Sequence, residues 1–303
     1  MNATIAMSAV ELGLLFTLLT LGLFISYRIL DIPDLTVDGS FTLGAVVSVI
    51  ITMKGSPELG ILAAAGAGTL AGMVTAILQT KLKIQPILAG ILTMTGLYSI
   101  NLMIMGKPNL SLLGEETIFT KLNVALGGQN AEMVIGVIGV VAICILLGVF
   151  LHTNVGLAIR ATGDNEDMVR SSSINVDHMK IIGLAIANAL VALSGALVAQ
   201  KQASADTGMG TGMVVIGIAS LIIGEVIVDS VVKQRGIKAN IVAAIIGSII
   251  YRLIISLALT FEITATSMKL ISAIIVAFAI SYPVIISGIK GKLRQRARMK
   301  EEM

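Results

Sequence analysis

The feature that most limits what this chain can become is a succession of uncharged apolar runs, namely Leu59 to Thr80, Ile84 to Gly106, Met133 to Leu151, Ile181 to Gln200 and Leu270 to Ile289. About 20 apolar residues in helical form span the roughly 30 Å hydrocarbon layer of a bilayer, so each run is long enough to cross. Leu12 to Tyr27 and Ile237 to Leu259 also qualify, although the second carries Arg252. Two shorter segments, Phe41 to Met53 and Met213 to Val228, begin among glycine and polar residues. These runs predict nine crossings.

A backbone surrounded by lipid must satisfy its own hydrogen bonds, and the runs are too long and too uniformly apolar for barrel strands. The expected fold is therefore all-α: a polytopic membrane helical bundle forming one transmembrane domain over residues 1–303. With 56% hydrophobic and only 13% charged residues, the chain cannot cover a water-facing surface of that length. Residues 1–11 hold no basic residue ahead of the first apolar run, so a cleaved signal peptide is not expected. The single cysteine, Cys144, lies inside an apolar run and has no partner for a disulfide or a metal cluster.

Nine crossings place the connecting segments alternately on two sides, and the basic residues separate accordingly. Arg28, Lys81, Lys83, Arg160, Arg170, Lys180, Lys233, Arg235, Lys238 and the basic tail over 290–303 fall on one side. The other side holds Lys54, Lys107, Lys121, Lys201 and Lys269. The excess of lysine and arginine marks the cytosolic side, which puts the amino terminus outside and the carboxyl terminus in the cytosol of a multi-pass cell-membrane protein. The net charge of +3 and the basic tail are features shared with nucleic-acid-binding chains. Because the tail directly follows a membrane helix, anionic lipid headgroups are the expected partner and no nucleic acid is.

Within the membrane, small residues recur at every fourth position: Gly60, Ala64, Gly68, Gly72 and Ala76. Helices in lipid associate through close van der Waals contact rather than hydrophobic burial, and such a stripe is read as a packing face. The two short segments occupy comparable places before and after the polar stretch from His152 to Lys180 and run in opposite directions. Gly39/Gly44 and Gly212/Gly217 repeat the same spacing. Paired glycine-interrupted segments in halves of opposite topology point to an inverted repeat whose irregular helices lie beside a translocation pathway.

Ionisable groups in hydrocarbon are costly, which makes Asp38, Glu225 and Arg252 candidates for that pathway. Asp38 and Glu225 are expected near cytosolic ends of short helices, where water, Lys233 or Arg235 would satisfy them without any transport role. Arg252 is expected deeper, and outward snorkelling, a pair with Glu262 and a place lining a vestibule all stay open. Ser40, Thr42, Asn101 and Asn188, with Thr93 and Thr95, supply uncharged polar groups suited either to lining a route or to bonding a neighbouring helix. The chain has no nucleotide-binding loop, paired-cysteine metal motif or nucleophile elbow, so it is not expected to be an enzyme.

The stretch from His152 to Lys180 is far longer than a turn between helices requires. Asp164 followed by Asp167 three positions later predicts a helix start, with Glu166 and Asp167 at its positive end and Arg170 near its close. A short amphipathic helix across the membrane face is expected, with Met168, Val169 and Ile174 as apolar contacts.

The string GLAIRATGDNEDMVRSSSIN over 156–175 resembles the cytosolic loop of permease subunits in the branched-chain amino acid, ribose and nucleoside group of ABC importers. Gly156, Arg160, Ala161, Asn165, Ile174 and Asn175 fall on that group's pattern, while Ser173 stands where the group has glycine. LTVDGSFTLGA over 35–45 resembles the group's polar second segment and ALSGALVA over 192–199 the segment after the loop. The likeness runs from about residue 10 to 288, and within the group it is nearest to tryptophan or tyrosine uptake permeases. It implies that the loop, including Asp164, Asp167, Met168 and Arg170, docks onto an ATPase. It also implies a homodimer of two permease copies, two ABC ATPase subunits holding ATP and Mg, and an extracytoplasmic substrate-binding protein, with no cofactor in this chain. Import of an amino acid by alternating access is the expected function. A secondary transporter or channel without an ATPase, worked by Arg252, Glu225 and the repeat, is the alternative.

Overall fold

The computed structural model describes residues 3–126, 131–231, 236–260, 270, 273–278 and 281. The first helix, α1 (Ala3–Leu23), runs on into a π-helical turn over Phe24–Ile29. After a break, α2 (Thr36–Thr52) follows, then α3 (Pro57–Thr80) and α4 (Pro86–Met105), each with proline in its first turn, where the missing N–H is harmless. Next come β1 (Asn109–Ser111), α5 (Ile118–Leu126), α6 (Ala131–Phe150), α7 (Asn154–Asp164) and α8 (Glu166–Ser171). The chain continues through α9 (Val176–Gln202), β2 (Ser204–Asp206), α10 (Met213–Val231) and α11 (Ile237–Thr260). The departure from an all-helical chain is the small antiparallel pair β1–β2, which joins the connection after α4 to the one after α9.

Five described helices are long and apolar enough to cross a membrane, or six if the pair on either side of Phe150, bent by 78°, counts as one span. Of the nine expected crossings, five fall on these long helices, Met133 to Leu151 forms one arm of the bent pair, and Phe41 to Met53 lies on the shorter α2. Met213 to Val228 lies within α10. Leu270 to Ile289 falls mostly outside the described residues, as does all of the tail over 290–303.

The 27-residue α9 is the axis of the bundle, with α1, α2 and α3 packed around it. The expected packing stripe on α3 meets it directly. A Cβ on Gly72 would overlap the Leu184 carbonyl oxygen, and one on Gly68 the Asn188 carbonyl oxygen. Gly44 of α2 approaches the Ala192 carbonyl in the same way, so small residues bring three backbones together along one line. The exterior is as apolar as the interior. Most of α3 and α4 is not buried, and Leu62, Leu70, Ile138, Leu146 and Met103 stand exposed. A surface of that kind is solvated by lipid, and the protein is a multi-pass membrane protein.

Candidate functional site

The break between the π-turn and α2 contains Asp34, only 2% exposed, beside the middle of α9. Asn188, near the midpoint of α9, donates from Nδ2 to Asp34 Oδ2 at 2.7 Å and to the Leu184 carbonyl at 3.1 Å. Its Oδ1 accepts from Ser40 Oγ at 2.7 Å, and the Thr36 N–H donates to the other Asp34 oxygen at 2.9 Å. A hydroxyl chain leads away from there, with Thr36 Oγ1 and Thr75 Oγ1 at 2.7 Å and Thr75 donating to Thr93 at 2.9 Å. Ser40 and Asn188 are thus brought together around a carboxylate and bond helices to one another.

Since Asn188 is about 18 Å along α9 from Val176 at 1.5 Å per residue, α2 begins deep within the bundle rather than at its surface. This corrects the expected position of Asp38. Its carboxylate sits in the first turn of α2 and accepts from two backbone groups at the start of α10: Gly212 N–H at 2.8 Å and Val214 N–H at 2.9 Å. The starts of both short helices therefore meet here, and the carboxylate lies where the amino-terminal end of α10 presents unpaired donors and positive potential. The approach requires glycine. A Cβ on Gly210 would overlap the Asp38 carbonyl, and Gly212 takes φ +84°. Gly210 N–H also donates to Thr42 Oγ1 at 3.0 Å.

Asp38, Thr42 and Asn101 line one cavity of about 280 Å³ with Thr95, Tyr98 and Thr211. Asn101 is buried, with its Nδ2 at 3.5 Å from the Gly39 carbonyl and its Oδ1 without a partner. The cavity offers hydroxyls, an amide and a carboxylate, a lining suited to a small polar or zwitterionic solute.

The other two charged candidates lie elsewhere. Glu225 pairs with Arg28 at 3.0 Å, while Lys233 and Arg235 fall outside the described residues. Arg252 lies with its guanidinium 3.5 Å above the Phe16 ring, in a pocket of about 530 Å³ on the far side of the turn leading into α10. Glu262, its expected partner, is outside the described residues.

The stretch from His152 to Lys180 is helical through most of its length. Thr153 caps α7 through Gly156 N–H at 3.2 Å, Asn165 caps α8 through Met168 N–H at 3.0 Å, and Asn175 caps α9 through His178 N–H at 3.2 Å. The start expected at Asp164 is thus displaced by one residue: Asp164 closes α7, and Asn165, in extended conformation, supplies the cap. Glu166 and Asp167 do occupy the first turn. The helix closes in a Schellman arrangement, with Ser173 N–H on the Arg170 carbonyl, Ile174 N–H on the Val169 carbonyl and Ser173 at φ +61°.

Of the three expected apolar contacts, Val169 is 1% exposed and anchors α8, whereas Met168, at 54%, and Ile174 stand exposed. Glu166 pairs with Lys180 and Arg170, and Asp177 with Arg170 and Lys81, which ties α8 to α9 and to the end of α3. Gly156, where a Cβ would overlap the Phe150 carbonyl, lets α7 fold back at the bend. Arg160 and Ala161 are half-buried on α7. Ile159 on α7 packs with Leu30, Ile32 and Leu184, and Gly163 abuts the Ile29 carbonyl. One face of α7 thus rests on the chain segment that carries Asp34.

Asp34, Tyr98 and Thr211 escaped the sequence reading. Asp34 follows Pro33, and the one available signal was its place two residues ahead of a short helix.

Residues 5–279 match the family described as branched-chain amino acid transport system / permease component. The chain is 43% identical over 218 residues to the tyrosine transport system permease protein of Clostridioides difficile, covering 72% of each chain. It is 38% identical to the uncharacterized protein RP368 of Rickettsia prowazekii, over 73% of this chain and 77% of that one. To the ribose import permease protein RbsC of Escherichia coli it is 28% identical, over 63% of this chain and 60% of that one. No solved structure matches it.

Proposed function

The chain belongs to the branched-chain amino acid transport system permease family, a family of ABC-type importer permeases, and from that premise we propose that it carries a small amino acid across the membrane under the drive of a partner ATPase. The observation that carries the reading is α8: a single turn and a half of helix, capped at both ends and pinned by Val169, that holds Met168, Arg170 and Ile174 outward at one end of the bundle. A short capped helix that presents an apolar side chain among exposed charges is suited to lie in a groove of another protein.

Movement of α8 would reach the interior through a short route. Asn165 joins α8 to α7, α7 rests on Leu30 and Ile32, and the same segment holds Asp34 against Asn188. Rocking α7 would therefore bear on the point from which α2 starts. Such a device gives alternating access, with α2 and α10 as the paired short helices of an inverted repeat. In this reading α8 is cytosolic, the β1–β2 pair faces outward, and the amino terminus is outside, as the lysine and arginine distribution argues. The working complex holds two permease copies, two ATPase subunits binding ATP and Mg, and an external substrate-binding protein. The tyrosine permease relative favours an amino acid as cargo.

The test is affinity purification of the tagged full-length chain from its native membrane, followed by ATPase measurement with Met168→Asp alongside the wild type. The reading predicts a co-purifying ATPase that Met168→Asp loses or uncouples while membrane insertion stays normal. Recovery of the chain without any ATPase, together with normal uptake by Met168→Asp, would count against it.

A further inference from the structure

Arg252 is the buried charge that the coupling route does not use. It lies in the second half of α11, and its guanidinium face is covered by the Phe16 ring at 3.5 Å. Phe16 in turn stacks on Phe41 with centroids 5.8 Å apart. Covering the face leaves the edge, where all five N–H donors of a guanidinium point. Nε is buried without a hydrogen-bond partner, and among the described residues no carboxylate comes within ion-pairing distance of Arg252. Burial of such a cation is costly, and a partner of opposite charge is the usual compensation.

The pocket beside it has the remaining features of a ligand site. It measures about 530 Å³ and is lined by Phe16, Phe41, Met209, Met213 and Ile216 together with Arg252. Its lining is mostly apolar and partly aromatic, with one strong cationic donor set at the wall. The turn leading into α10 forms part of the same wall, through Thr211 and Gly212, and Gly212 is the residue whose N–H binds Asp38. A molecule in this pocket would therefore touch the place where the two short helices meet.

We propose that this pocket is a substrate subsite in which Arg252 holds the carboxylate of an amino acid whose apolar or aromatic side chain lies among Phe16, Phe41 and the methionines. This rests on the reading of the chain as an amino acid permease and adds to it the residue that recognises the solute. A guanidinium and carboxylate form a planar, bidentate pair, and thioether and aromatic groups accept a flat or branched side chain with little penalty for shape. An anionic lipid headgroup has the same charge as the carboxylate, so the assay separates the two.

The experiment uses the full-length chain in lipid nanodiscs and measures saturable binding of radiolabelled L-tyrosine, with unlabelled tyramine, which lacks the carboxylate, as competitor. For wild type, tyramine is expected to bind roughly tenfold to a hundredfold more weakly, the range for a hydrogen-bonded contact between charged groups. Arg252→Gln should bring tyrosine down to the level of tyramine and leave tyramine unchanged. If that variant does not fold, Arg252→Lys replaces it, with the gap reduced at least about threefold because the planar fork is lost. Binding should be equal in discs with and without phosphatidylglycerol. Equal affinity for tyrosine and tyramine, an undiminished gap in the variant, displacement of tyrosine by the anionic lipid, or no saturable tyrosine binding would each overturn the proposal. None of these outcomes bears on whether an ATPase drives the chain, which co-purification decides separately.

Discussion

Replacing Asn188 by alanine probes the buried carboxylate at the root of α2. The wild-type amide makes three bonds: to Ser40 Oγ, to the Leu184 carbonyl and to Asp34 Oδ2. Bonds between neutral groups inside membrane bundles average about 0.6 kcal/mol, so the first two account for roughly 1 kcal/mol. The third involves a carboxylate that is 2% exposed, and a bond to a charged group is worth about 1.5–3 kcal/mol. Asn188→Ala should therefore destabilise the chain by roughly 2.5–4 kcal/mol, the sum of these contributions. Equilibrium unfolding of the purified protein in mixed micelles titrated with dodecyl sulfate measures it. Adding Asp34→Asn should restore about half of the loss, because the charge left stranded by Asn188→Ala is then gone. A loss below about 1 kcal/mol, with no rescue by Asp34→Asn, would mean that water reaches Asp34, and the dry network would be wrong.

Three further outcomes follow from other parts of the structure. Asn165→Ala removes the α8 cap and should cost about 1 kcal/mol locally, seen as faster hydrogen exchange at Met168 with the long helices unaffected. Unchanged exchange at Met168 would show that the cap contributes nothing. Ser173 sits at φ +61°, where a non-glycine residue is strained, so Ser173→Gly should slow exchange at Ile174 by an amount equivalent to about 0.5–1 kcal/mol; faster exchange would contradict the Schellman ending. Gly72→Leu drives a side chain into the Leu184 carbonyl and should abolish folded yield in detergent, whereas Gly66→Leu, which points into open space, should express normally.

Much of the bundle was legible because its strongest determinant is one-dimensional. Runs such as Leu59 to Thr80 carry their own length, and Pro57 and Pro86 mark their starts. The stripe on α3 was equally readable, since spacing by four places Gly68 and Gly72 on one face whatever lies opposite. Depth was not legible. Asp38 looked superficial because it begins a short segment, yet the preceding break carries it to the middle of α9, and only the partner helix reveals that. The same holds for Asp34, whose role depends on Asn188, 154 positions away. In the polar stretch after α6, composition identified a helix start but misplaced it by one residue, because Asp164 and Asn165 are both good caps and the chain's extended conformation at Asn165 decides between them. Composition also did not distinguish Met168 from Val169: they are adjacent and similarly apolar, and burial of Val169 alone follows from how α8 lies against its neighbours.

In the proposed mechanism ATP, bound by a partner and felt through α8, drives this chain. Uptake of radiolabelled L-tyrosine by proteoliposomes holding the complete co-purified complex, with ATP on the α8 side and the binding protein on the other, tests it most directly. Uptake is expected to require hydrolysable ATP, to be indifferent to proton and sodium gradients, and to be lost in Met168→Asp. Accumulation driven by an ion gradient without ATP, and undiminished in that variant, would contradict it.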